Sequence, residues 1–81
     1  SMNCRNDVVE RIHRIFLSAG VGSNKQLEAV RALGRAGGPK AAKLLEQIYQ
    51  QAFSNSALQM ACVAALGEAA RGFQVSAERD S

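Results

Sequence analysis

At 81 residues, with 47% hydrophobic side chains and two cysteines, the chain has room for one small domain with a modest core. Ten lysines and arginines against seven acids leave a net charge of +3, spread along the sequence without clustering, and the aromatics are three Phe and one Tyr. This falls short of the charge footprint and stacking platform of a dedicated nucleic-acid binder, and no apolar run reaches the length of a membrane span.

Ser1 ahead of Met2 reads as a cloning remnant, and residues 1–6 are expected to form a disordered tail. A first helix is predicted from Asp7 to Ala19, where Val8, Val9, Ile12, Ile15, Phe16 and Ala19 recur at three- and four-residue spacing. Asn6 or Asp7 caps it, and Gly20 and Gly22 supply left-handed conformations that stop it. Ser23 and Gln26 form a capping box for a second helix, with Leu27, Val30 and Leu33 as a large apolar edge and Ala29, Ala32 and Ala36 as a small one. Gly34 would cost about 1 kcal/mol against alanine inside a helix, so it marks either a close approach by another helix or an early end. Gly37-Gly38-Pro39 closes this helix and opens the third, which runs to about Phe53 with Ala41, Leu44, Leu45, Ile48, Tyr49 and Ala52 inward. Asn55 then takes a left-handed turn, Ser56 and Gln59 repeat the capping box, and a fourth helix runs from Ala57 to Ala70. Arg71-Gly72 ends it, leaving residues 73–81 as a frayed polar tail.

The chain repeats itself. Leu33 and Leu66 lie 33 residues apart, and the same offset matches Gln26 with Gln59, Val30 with Val63, Ala32 with Ala65 and Gly34 with Gly67. It also matches Ile15 with Ile48, Phe16 with Tyr49, Ala19 with Ala52 and Ser23 with Ser56. A period of this size belongs to stacked helical pairs that cannot bury their apolar faces singly. Leu33, Leu45, Ile48 and Leu66 are expected at the centre of the core. Cys62 aligns with Ala29 and reads as a buried free thiol, whereas Cys4 falls in the tail, so no disulfide framework is expected. Reduced cysteines without a leader sequence suit an intracellular, cytoplasmic setting.

Ala32-Leu33-Gly34-Arg35-Ala36-Gly37-Gly38-Pro39 followed by Leu44-Leu45, with Ala65-Leu66-Gly67 as a second copy of the motif, resembles HEAT-like repeats of the short, phycobilisome-lyase type. The resemblance covers residues 7–72. It implies an all-α, short α-solenoid of about four antiparallel helices, one full repeat flanked by two half repeats. It also implies functions ranging from scaffolds and transport receptors to chromophore lyases.

Little chemistry is visible. His13 is the lone histidine and reads as a solvated helix residue. Glu10, Glu28, Glu46 and Glu68 fall on four different helices, and no nucleophile elbow, phosphate loop or Cys-x-x-Cys occurs. No catalytic residue, cofactor, metal ligand or small-molecule substrate is inferred. Two surfaces stand out instead. On the fourth helix, Leu58, Met60, Ala61, Val63 and Ala64 make it apolar nearly all round, which calls for cover by another protein or a second copy, the simplest assembly being a dimer through that helix. Arg11, Arg14, Lys40 and Lys43 form basic faces that suit an acidic partner. The reading is a non-catalytic protein–protein interaction module or a segment of a larger scaffold. The alternatives are binding of nucleic acid or an acidic peptide through the basic faces, and an accessory lyase or chaperone role.

Overall fold

A computed structural model describes the backbone of residues 4–80 and the side chains of residues 4–71. It comprises four helices: α1 (Cys4–Ser18), α2 (Asn24–Ala36), α3 (Gly38–Gln51) and α4 (Ser56–Asp80). No strand occurs among the described residues, and no helix is long and apolar enough to cross a membrane. α1 packs chiefly on α2, while α4 lies against both α2 and α3.

The helix starts follow from local hydrogen bonding. Ser23 Oγ accepts from the Gln26 amide at 3.2 Å and caps α2. The reciprocal half of the expected box is displaced by one residue, because Gln26 Oε1 accepts from the Gly22 amide at 2.9 Å. At α4 the cap moves from Ser56 to Asn55, whose Oδ1 accepts from the Leu58 amide at 3.1 Å. That bond holds Asn55 as an N-cap, and no non-glycine residue among those described has positive φ, so the left-handed turn expected at Asn55 is not formed. Nor does Gly20 adopt one; Gly22 alone does so in the first connector. Gly37 and Gly38, at φ 71° and 90°, join α2 directly to α3, and Pro39 follows in the first turn of α3.

Two helix bounds differ from expectation. α1 begins at Cys4, a turn before Asp7, which leaves Asp7 in the first turn where the helix dipole favours an acid; residues 1–3 lie outside those described. α4 continues past Gly72 to Asp80, so residues 73–80 are helical and not a frayed tail. A single glycine costs only about 1 kcal/mol, and no proline follows to enforce a stop.

The core is formed by Val9 and Phe16 of α1, Ala29, Val30 and Leu33 of α2, Ala41, Leu45 and Ile48 of α3, and Leu58, Cys62, Ala65 and Ala69 of α4. Small residues let α2 and α4 approach closely: a β-carbon on Gly34 would lie 2.8 Å from Ala65 Cα. The two connectors also meet, with a β-carbon on Gly22 falling 3.8 Å from Asn55 Nδ2. Of the four residues expected at the centre, Leu33, Leu45 and Ile48 are buried, but Leu66 is only half-buried because no helix covers its outer side. On α1, Val8 and Ile15 of the apolar stripe are exposed for the same reason.

Candidate functional site

α4 is apolar nearly all round in sequence, yet only one stripe of it is buried. Leu58, Cys62, Ala65 and Ala69 recur at three and four residues and face α2 and α3. The opposite side, with Met60, Val63, Ala64 and Gly67, is exposed. Beside it runs an open groove of about 840 Å3 between α2 and α4, floored by Leu27, Met60, Ala61, Ala64 and Gly67.

The rim of the groove is charged. Arg31 pairs with Glu28 at 2.6 Å and Arg71 with Glu68 at 2.9 Å, both one helical turn apart and largely exposed. Exposed pairs of this kind contribute about 0–1 kcal/mol and exchange readily for a partner's charges. Arg35 also lines the rim and has no acidic partner among the described residues.

Of the five residues expected at an interface, Met60, Ala61 and Ala64 line this groove and Val63 is exposed on the same helix. Leu58 does not belong to the surface. Its side chain is buried in the core, because Leu58 lies one turn before Cys62 and continues the stripe formed by Cys62 and Ala65. Sequence reasoning missed Leu27, Arg31, Arg35, Gly67, Glu68 and Arg71. A signal for two of them was present, since each Ala-Leu-Gly motif is followed by a charge, Arg35 in one and Glu68 in the other. Also missed were Val21 and Phe53, exposed apolar residues beside a hollow of about 250 Å3 at the connectors.

The basic residues are divided between α1 and α3. Arg11 and Arg14 border a shallow depression on α1 with Ile15 and Ser18, and Lys43 is exposed on α3. Lys40 Nζ instead donates to Glu10 Oε2 and ties α3 to α1. That hydrogen bond, with the charge of Lys40, holds the Glu10 carboxyl below the usual carboxylate range. His13 stacks on Phe16 with ring centroids 6.5 Å apart, and no metal-holding cluster of His, Cys, Asp and Glu occurs among the described residues. Cys62 is a free thiol sealed in the core, and burial pushes its pKa up to about 11. No protein-family model matches the chain, and no curated protein or solved structure is significantly similar to it.

Proposed function

We propose that the chain is a segment of HEAT-like α-solenoid, with α1–α2 and α3–α4 as antiparallel repeat units, and that it works as a non-catalytic protein–protein interaction or assembly module. One observation carries this reading. Val30 and Val63 occupy the same place in the repeat, yet Val30 is 0% exposed beneath the next unit while Val63 is 58% exposed with nothing over it. Two neighbouring positions behave alike. Leu33 and Gly34 are buried, whereas their equivalents Leu66 and Gly67 are half-buried and exposed. Residue types that the fold buries inside are presented outward at the α4 end, as expected of a surface that meets another protein. The close approach of Gly34 to Ala65 and the meeting of the two connectors at Gly22 and Asn55 favour stacked repeats.

The test is affinity capture from native lysate with the wild-type chain and with a Met60→Glu, Val63→Glu variant. Both substitutions lie on exposed positions, so circular dichroism should show an unchanged fold. A specific protein, or the chain itself, retained by the wild type and lost from the variant supports the module. Equal recovery on both baits would refute it.

A further inference from the structure

The open surface at α4 has a counterpart at the opposite end of the same chain. Where α1–α2 meets α3–α4, the first unit buries Val9, Phe16, Val30, Leu33 and Gly34. Their equivalents in the second unit are Ala42, Tyr49, Val63, Leu66 and Gly67, and all five are half-buried or exposed. The second unit in turn buries Ala41, Leu45, Ile48, Ala52 and Ala65. Their equivalents in the first unit are Val8, Ile12, Ile15, Ala19 and Ala32, again half-buried or exposed. Ala41 is 0% exposed against 51% for Val8, and Ile48 5% against 41% for Ile15. One end of the molecule thus displays one half of the internal junction, and the other end displays the other half.

We infer that a second copy of this chain is the occupant: the α1–α2 face of one copy seats on the α3–α4 face of the next, repeating between chains the junction found within one. This rests on the interaction-module reading above. Three features of the junction carry over. Inside the chain, Gly34 admits Ala65; at the offset of the repeat, Gly67, with nothing within 4 Å of its would-be β-carbon, faces Ala32 of the next copy, another alanine. The ion pair carries over with its signs exchanged. Glu10 on α1 meets Lys40 on α3 inside the chain, and the equivalent residues are Lys43 and Asp7, so an exposed lysine on α3 faces an exposed aspartate on α1 of the next copy. Side-chain size is also exchanged between the faces, since the buried Val9 and Ala41 have Ala42 and Val8 as equivalents. Head-to-tail seating covers both displayed faces. A two-fold pairing through α4 would leave Val8 and Ile15 open, so the dimer expected from the sequence gives way to an open-ended, heterologous association.

Sedimentation velocity on the intact chain from about 1 μM to about 1 mM decides it. The expected result is an average mass that climbs from the 8.6 kDa monomer with no plateau at two copies. Gly67→Leu, placed in open space on a helix, should hold the chain at the monomer with its fold intact. Lys43→Glu should weaken association about tenfold by setting two acids together, and Lys43→Glu with Asp7→Lys in one chain should restore it. A plateau at two copies, a monomer throughout, or association indifferent to Gly67→Leu would overturn the proposal. A monomer that still captures another protein through Met60 and Val63 would sink this inference alone. A monomer that captures nothing would sink the module reading with it.

Discussion

Gly34 of α2 lies against the main chain of Ala65 in α4, so close that a β-carbon on Gly34 would be 2.8 Å from Ala65 Cα and 2.9 Å from its carbonyl oxygen. The obstacle is backbone, which cannot swing aside as a flexible side chain can. Gly67, the same residue one repeat later, has nothing within 4 Å.

Opposite outcomes are therefore expected from one substitution at equivalent sites. Gly34→Ala should destabilise the domain by about 1–3 kcal/mol through overpacking. Gly67→Ala should stabilise the monomer by about 0.5–1 kcal/mol, since it removes only the glycine penalty in a helix. Urea unfolding of both variants measures this, and effects of equal sign would mean that the approach of α4 to α2 is misplaced.

Leu45→Ala is expected to cost about 2–5 kcal/mol, because the side chain is fully buried between helices and its removal leaves a cavity. In a domain this small that is a large share of the folding free energy. Leu66→Ala should cost less than half as much, its outer side being uncovered. Chemical denaturation of the pair gives the ratio.

Much of this arrangement was legible in the sequence. The period placed Leu33, Leu45 and Ile48 in the core, and the glycine of the Ala-Leu-Gly motif pointed to a close approach at Gly34. Periodicity gives the position of a residue within a repeat, but it cannot tell an inner copy from an outer one. Leu66 was for that reason expected to be as buried as Leu33, and is not. Leu58 failed in the other direction. A helix apolar nearly all round does not show which side is buried, and Leu58 lies four residues before Cys62 on the buried stripe. The groove was invisible because it is shared by two helices, and its arginines on α2 carry no mark of the α4 residues opposite.

The capping residues can be ranked by experiment. Ser23→Ala and Asn55→Ala should each cost about 1 kcal/mol, and Ser56→Ala only a few tenths. Thermal unfolding of the three variants checks this, and a larger loss at Ser56 than at Asn55 would contradict the hydrogen bond to Leu58.

The two thiols should behave differently. Cys4 is exposed and should react at once with a thiol reagent, while Cys62 should react only as fast as the domain opens. Burial raises Cys62 from 9.0 to about 11, so the folded state keeps a proton that the unfolded chain releases. Its contribution to stability is complete below about pH 9 and is lost as pH rises toward about 11. Cys62→Ala, which installs the residue found at the equivalent Ala29, should lose that part of the decline when urea midpoints are compared across this range.

Generic oligonucleotides should not bind at physiological salt. Lys40 is engaged by Glu10, and Arg11 and Arg14 border a depression apart from the groove. A micromolar complex at about 0.15 M salt, lost on neutralising Arg11 and Arg14, would reverse this expectation.

α1 contributes two buried side chains, Val9 and Phe16, and packs chiefly on α2, with the Lys40–Glu10 pair as a link to α3. α2 and α3 share α4 as a common support. Native-state hydrogen exchange should accordingly record two cooperative units, with α1 amides exchanging through a partial opening and those of α2, α3 and the first half of α4 only through global unfolding. Release of α1 would uncover the outer side of α2 while leaving the face at Met60 and Val63 intact. The molecule can thus lose one of its two ends without losing the other.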